Sequence, residues 1–298
     1  MTDINSKKYD VLNRYIFNDH HVRGEMVQLK DTYQSILHGH NYPISVKNLL
    51  GELLAATCLL TATLKFEGEI TVQLQGDGPL SYASIGGNNN QEMRGIAKLN
   101  QEIPMNESLS LKDLLGKGVM IITIRPFDGE PYQGVVALEQ PTLAQCVEHY
   151  FEVSEQIPTK VWLFINSEQQ LSAGSLIQLL PDGDGSLANR NKMDDDFDHL
   201  CQLTNTIKSN EIFELEAQGL LFRLYHQEKV ELYPAQAVSY VCGCSKEKCL
   251  TAISQMNSEE LLDILNEQGK VSMTCDYCNT VYNFYEADLS SFITKLRH

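Results

Sequence analysis

The chain has 298 residues, with 23 Lys and Arg against 39 Asp and Glu, so its formal net charge is −16. This length favours two or three domains, and a 43% hydrophobic content suffices for at least one large core. An acidic surface repels phosphate backbones and anionic lipid headgroups, which argues against nucleic-acid and membrane partners. The polar N-terminal sequence MTDINSKKYD lacks the apolar core of a signal peptide, so we expect a cytosolic protein.

Residues 1–184 are predicted to form the first domain, an α+β core, because helices interrupt the strands irregularly. Its strands are predicted from period-two alternation or from β-branched and aromatic content. They are Val22–Leu29, Ile70–Gln75, a strand after the turn Gly76–Pro79, Arg94–Leu99, Val119–Arg125, Gln133–Leu138 and a buried strand at Val161–Ile165.

Two helices are predicted in this domain. Apolar residues at helical spacing predict a long, buried helix over Ile44–Leu64. Thr142 is a suitable N-cap for a second helix that runs to about Gln156, with Glu148 and Glu152 on its solvent face.

Residues 185–238 are predicted to form a helical linker region. The segment 189–198 is polar and charge-dense, the sequence becomes apolar again over Glu211–Leu232, and Gly219 is expected to interrupt any single helix there. From the residues alone, this apolar stretch is best interpreted as ordinary core. The apolar residues of this stretch that we single out are Ile212, Phe213, Leu215, Leu221, Phe222 and Leu224.

The eight cysteines fall into two groups. Cys58, Cys146 and Cys201 are scattered, whereas the other five lie in the predicted C-terminal domain, residues 239–298. Four of those five form two close pairs, Cys242-Gly-Cys244 and Cys275-Asp-Tyr-Cys278, with 30 residues between the pairs.

Two close cysteine pairs are typical of a tetrahedral zinc site, in which four thiolates leave no open position. We therefore predict zinc binding by Cys242, Cys244, Cys275 and Cys278, since free thiols in a small core leave the paired spacing unexplained. A closed site argues against zinc catalysis, and no nucleophile elbow or phosphate-binding loop is present, so we expect no enzyme. The histidines at 20, 21, 38 and 40 are expected to be ordinary surface or core residues.

The residues between the cysteine pairs are predicted to fold around the site. Ser245 caps a short helix, and Asn257 with Glu260 begins a second helix that ends at Gly269. Val271–Met273 and Val281–Phe284 are predicted to form a small hairpin around the second pair.

Several functions are compatible with such a module. The simplest of these functions is that of a plain structural zinc protein. A zinc-ribbon nucleic-acid module would be basic, whereas residues 239–298 carry 5 basic and 8 acidic groups, a net charge of −3. A thiol–disulfide oxidoreductase would place Cys275-Asp-Tyr-Cys278 at the start of a helix beside a βαβ unit. A redox switch is also possible, because metal-bound thiolates are oxidisable and a module of this size depends on its metal for stability.

The chain strongly resembles the redox-regulated chaperonins of about 33 kDa, the heat-shock protein 33 family. The segments that carry the resemblance cover nearly the whole chain. They are Cys242–Cys249, Cys275–Cys278, Tyr282–Phe284, Val22–Glu25, Leu64–Gly68, Leu74–Pro79, Gly116–Gly118, Tyr132–Val136, Tyr150–Phe151 and Ser154–Gln156.

The resemblance implies an ATP-independent holdase that is inactive when reduced and zinc-bound. It implies that oxidants form two disulfides, Cys242–Cys244 and Cys275–Cys278, and expel zinc, after which the C-terminal domain and linker unfold and expose a client-binding surface. The six apolar linker residues named above are the candidates for that surface. It further implies unfolding proteins as clients, a homodimer when oxidised, and hand-over of clients to the ATP-dependent seventy-kilodalton chaperone.

Overall fold

The computed structural model describes residues 9–64, 67–181 and 187–293. The chain divides into two compact units, Met1–Tyr240 and Val241–His298, and each is described by itself. Residues 185 and 186, at the start of the predicted linker, lie outside the described residues.

The first unit contains both strands and helices, which confirms the α+β prediction. Its elements, in chain order, are β1 (Val11–Phe17), β2 (Val22–Leu29), α1 (Asp31–Leu37), α2 (Ile44–Thr63), β3 (Gly68–Gly76), β4 (Leu80–Asn88), β5 (Glu92–Leu99), α3 (Leu111–Leu115), β6 (Gly118–Pro126), β7 (Tyr132–Ala137), α4 (Leu143–Tyr150), a π-helical turn (Phe151–Glu155), β8 (Thr159–Asn166), β9 (Leu171–Leu179), α5 (Leu187–Thr204), α6 (Ser209–Glu214), α7 (Ala217–Tyr225), β10 (Val230–Leu232), β11 (Gln236–Ala237) and β12 (Ser239–Tyr240).

These strands form two sheets. The first sheet has the order β10-β1-β2-β9-β8, with β11 also paired to β1, and the second has the order β12-β5-β4-β3-β6-β7. The pairs are antiparallel except β12, which runs parallel to β5. The chain therefore returns to both sheets after α7, through strands of only two or three residues.

Helix α2 packs against both sheets and forms the centre of the main core. Most of its side chains are buried, and the core around it draws residues from β2, β3, β4 and β6. The helix is long and apolar enough to span a membrane, but 78% of its apolar window is buried inside the protein, as in a core helix. The prediction of a long, buried helix is thus confirmed.

Helices α5 to α7, which we call the middle segment (Leu187–Tyr225), cover one face of the first sheet. The sheet side chains beneath them are buried and apolar, and we call them the covered sheet face. They are Tyr15, Phe17, Val22, Met26, Leu171, Ala173, Ile177 and Leu179. Since α2 packs on the opposite face, β9 is buried along its whole length.

Most of the predicted elements are present, with four corrections. The predicted strands correspond to β2 to β8, but only Val161 of Val161–Ile165 is buried, because β8 is the edge strand and only β9 pairs with it. The predicted helix from Thr142 keeps its cap but ends at Tyr150, where the π-helical turn begins. Glu148 is half-buried rather than on the solvent face, because its carboxylate accepts a 3.0 Å hydrogen bond from the backbone N–H of Val161.

The fourth correction concerns Gly219, which lies inside α7 rather than at a helix break. Nothing lies within 4 Å of where its side chain would be, so the surface there is open. Glycine at this position lowers the stability of α7 only through its low helix propensity. The break occurs earlier, at Leu215, whose backbone is extended (φ −92°, ψ 143°) between α6 and α7.

The second unit, which we call the C-terminal module, has a small core of its own. Its elements are α8 (Lys246–Ile253), α9 (Ser258–Gln268), β13 (Val271–Thr274), β14 (Val281–Phe284) and α10 (Glu286–Ile293). Ser245 and Asn257 cap the first two helices, and Gly269 ends α9 at φ +72°, as predicted from the sequence. The buried core residues are Cys249, Ile253, Leu261, Val271, Phe284 and Leu289.

Candidate metal centre

Two tight backbone turns position the four paired cysteines. Cys242 and Cys244 precede α8, and the residue between them, Gly243, has φ +67°, a conformation that glycine adopts without strain. Cys275 and Cys278 lie in the turn between β13 and β14. That turn is closed by hydrogen bonds from the Cys275 N–H to the Thr280 carbonyl (2.9 Å) and from the Asn279 N–H to the Cys275 carbonyl (2.8 Å).

The four sulfur atoms converge on one point. The Sγ atoms of Cys242 and Cys275 are 3.5 Å apart, as are those of Cys244 and Cys278, and all four lie within 4.8 Å of one another. A tetrahedron with metal–sulfur bonds of about 2.3 Å has edges of about 3.8 Å, so the cluster has the size that a tetrahedral thiolate site requires. Among the described residues, these cysteines form the one group of three or more His, Cys, Asp or Glu that could hold a metal ion.

The surroundings shift the pKa values of two cluster cysteines in opposite directions. Burial raises the pKa of Cys242 to about 12. Burial also raises the pKa of Cys278, but hydrogen bonds with the side chain and backbone of Thr280 outweigh it and lower that pKa to about 6. The Tyr282 hydroxyl lies 3.1 Å from the Sγ of Cys244. Four thiolates this close repel one another, and a bound cation removes that repulsion, so the donor set fits a thiolate-preferring metal ion.

The remaining cysteines lie outside the cluster. Cys249 is buried in the core of the C-terminal module, and Cys58, Cys146 and Cys201 are buried in the first unit. Burial raises the pKa of Cys146 and raises that of Cys201 to about 12, so both thiols are protonated at neutral pH.

The six candidate residues of the middle segment divide unequally. Ile212, Phe213, Leu221 and Leu224 are buried against the covered sheet face, and Leu215 is partly buried beside them. Phe222 is 73% exposed, so the structure does not bring it together with the others. In this structure the stretch therefore packs as ordinary core, as the residues alone indicated, with Phe222 as the exposed exception.

Sequence reasoning missed the residues that meet the middle segment. The sheet side of the contact is the covered sheet face, half of it on β9, a strand that was not predicted. Thr280 and Tyr282, the polar neighbours of the cluster, were not identified either. Thr280 immediately precedes β14 and Tyr282 lies on it, two and four residues after Cys278, and this closeness to the cysteine pair is the signal that could have found them.

Comparison with known proteins identifies the family. The family model described as "Hsp33 protein" matches residues 10–285. A "33 kDa chaperonin" from Colwellia psychrerythraea is 63% identical over 291 residues, which cover 98% of this chain and 99% of that protein. The chain belongs to the Hsp33 protein family.

Other relatives of the Hsp33 family extend the comparison. A "33 kDa chaperonin" from Serratia proteamaculans is 52% identical, with 96% of each chain covered. The crystal structure of the 33 kDa chaperonin (heat shock protein 33 homolog) from Thermotoga maritima has the same fold, with a TM-score of 0.81 over 97% of this chain and 100% of that one, at 24% identity. Membership in the Hsp33 family supports a chaperone function, and the four-cysteine cluster lies in the part of the chain that its family model covers.

Proposed function

We propose that this protein is a redox-regulated, ATP-independent holdase of the cytosol, inactive while reduced and zinc-bound. The observation that carries the proposal is a pairing of two features in one chain. A four-sulfur cluster lies in a small module, and an apolar helical segment that precedes that module in the chain covers an apolar sheet face. Family membership adds the chaperone function itself.

The first step of the proposed switch is oxidation of the zinc site. Each disulfide forms as two thiolates lose two electrons, and a peroxide accepts these electrons with two protons from water, so that its O–O bond breaks and it is reduced to water and the corresponding hydroxyl compound. The oxidised cysteines could no longer hold zinc, and the module would lose the apparent folding free energy of about 10–16 kcal/mol that a structural zinc site supplies. Among the described residues of the module, the core has six buried apolar side chains, which are too few to hold a module of this size without metal.

The proposed disulfides are Cys242–Cys244 and Cys275–Cys278. In the folded cluster the shortest sulfur–sulfur distances join the two motifs, Cys242 to Cys275 and Cys244 to Cys278. Once the module opens, sulfurs of cysteines two or three residues apart in the chain stay close, whereas closing a loop of more than 30 residues costs entropy. Unfolding therefore favours pairing within each motif, and peptide mapping of the oxidised protein tests it.

The second proposed step is release of the middle segment. Val241, the first residue of the module, directly follows β12. We therefore propose that unfolding of the module destabilises the short strands of the first unit that precede it in the chain. Strands β12, β11 and β10 contribute two, two and three residues to their sheets, and the next element toward the N-terminus is α7. Loss of these short ladders leaves the middle segment held by its own packing and by side-chain contacts such as the hydrogen bonds from the Gln28 amide to the Ile212 and Leu215 carbonyls.

Release of the middle segment would expose both sides of its contact. Eight apolar sheet residues and the buried side chains of α5 to α7 would form a surface for unfolding client proteins. Oxidised chains with such a surface are proposed to form homodimers and to hand clients to the ATP-dependent seventy-kilodalton chaperone. The net charge of −16 keeps the opened protein soluble.

A direct experiment compares reduced, zinc-loaded protein with a sample treated with peroxide at mildly elevated temperature. We expect the treated sample to release zinc, lose four reactive thiols and suppress aggregation of a heat-labile test protein. Zinc release without suppression would favour the alternatives, a plain structural zinc protein or a zinc-ribbon interaction module without redox switching.

A further inference from the structure

A histidine in the β1–β2 turn is held between two carboxylates, one on a covering helix and one just after the last covering helix. His20 lies in the turn between β1 and β2, with its Nε2 atom 2.7 Å from Oε2 of Glu228, which follows α7. Its Nδ1 atom is 3.1 Å from Oδ2 of Asp196 on α5. His199, also on α5, places its Nε2 atom 3.0 Å from the second carboxylate oxygen of Glu228.

The geometry of His20 fits the protonated ring. A neutral imidazole carries one N–H, so one of its nitrogens would present a lone pair to a carboxylate. The ring, Asp196 and Glu228 are 18%, 23% and 13% exposed, so water cannot fully screen that repulsion. The Nδ1 contact has an ion-pair distance but lies off the direction of a hydrogen bond. A proton on Nδ1 converts this repulsive contact into an ion pair.

We infer that His20, Asp196 and Glu228 form a proton-dependent latch that fastens the middle segment to the β1–β2 hairpin and sets how readily it opens. The latch regulates the release step and therefore rests on the proposed function. It joins three separate elements through one side chain, so loss of its charge weakens two contacts at once. The nearby ion pair between Asp19 and Lys229 (3.0 Å) is 52% and 76% exposed and adds little.

The direction of the pH dependence follows from the shifted groups. Burial lowers the pKa of His20, but Asp196 and Glu228 outweigh it and raise the pKa above the ordinary 6.5. This contribution is complete below about pH 6.5 and is lost as the pH rises through the folded-state value. Burial raises the pKa of Glu228, but His20 and His199 outweigh it and lower the pKa below 4.5, so its contribution is lost only in acid. The latch is thus strongest between about pH 4.5 and 6.5.

Amide hydrogen exchange of the reduced, zinc-loaded full chain tests the latch. Protection of peptides from residues 192–204 and 217–225 is measured at pH 6.0 and pH 8.5 and corrected for the intrinsic exchange rate. We expect the opening constant of the wild type to rise several-fold between these pH values, because the contribution of the protonated ring is lost as the pH rises through its raised pKa. His20→Gln is expected to open about tenfold more than the wild type at pH 6.0 and to show little pH dependence.

Two further variants control the experiment. His226→Gln changes an exposed histidine at the end of α7 and should follow the wild-type profile. Glu228→Gln removes the shared carboxylate and should flatten the profile as His20→Gln does. An unchanged pH profile in both His20→Gln and Glu228→Gln, at wild-type zinc content, would overturn the latch. Because the readout uses neither oxidant nor client, a confirmed latch in a protein without holdase activity would refute the proposed function alone.

Discussion

Truncation of one buried side chain in the middle segment should activate the protein without oxidation. Leu220 is fully buried against the covered sheet face, whereas Phe222, two residues further along α7, is 73% exposed. Leu220→Ala removes a large apolar side chain from a packed contact, and Phe222→Ala removes one from the surface. The two variants therefore separate burial from apolar character on the same helix.

The expected size of the effect follows from the burial. Replacement of a fully buried leucine by alanine costs about 3 kcal/mol, which increases local opening about a hundredfold. The change at Phe222 is expected to cost less than about 0.5 kcal/mol, because little of that side chain leaves water on folding.

The assay measures two properties of the reduced, zinc-loaded variants. Amide exchange over residues 192–225 reports opening of the middle segment, and light scattering reports suppression of aggregation of a heat-labile test protein. Trp162, the only tryptophan, gives a third signal, because its indole N–H donates to Asn205 at the end of α5 (2.8 Å). We expect Leu220→Ala to open and suppress aggregation, and Phe222→Ala to remain closed and inactive. An opened but inactive Leu220→Ala would refute the idea that this contact hides the client-binding surface.

The remaining predictions concern the metal module. Cys275→Ser should lose stable zinc binding, which metal analysis and loss of exchange protection in α8 and α9 would both report. The control Cys249→Ala should keep a full complement of zinc, because Cys249 lies in the module core rather than in the cluster. Undiminished zinc affinity in Cys275→Ser would contradict the ligand assignment. Tyr282→Phe removes the hydroxyl 3.1 Å from the Sγ of Cys244 and should speed zinc transfer to a chelator a few-fold, with unchanged zinc content. A chain ending at Tyr240 should suppress aggregation without oxidant; a folded but inactive fragment would count against release of the middle segment.

The sequence predicted best where the determinants are local. The caps at Ser245 and Asn257 and the stop at Gly269 each depend on a few adjacent residues, so the C-terminal module was predicted almost element by element. Its metal cluster follows from spacing for the same reason. Helix α10 is the exception, because that part of the chain carries no distinctive cap or periodic signal.

The first unit was harder to predict because its burial depends on long-range packing. Strand β9 is buried on both faces, yet its sequence LSAGSLIQL includes Ser, Gly and Gln and gives no clear alternation. Ser172 is tolerated there because its hydroxyl donates to the Gly51 carbonyl on α2 (2.7 Å). The His20 contacts join residues that are 176 and 208 positions apart, a relation that local patterns do not contain.

The central claim is that loss of the metal causes the gain of client binding. Zinc release, thiol count and aggregation suppression should be followed together on one oxidising sample, with a chromophoric chelator as the zinc reporter. We predict that all three progress with the same time course, or that suppression follows zinc release after a delay that Leu220→Ala shortens. Complete zinc release and disulfide formation with no suppression at any time would contradict the account.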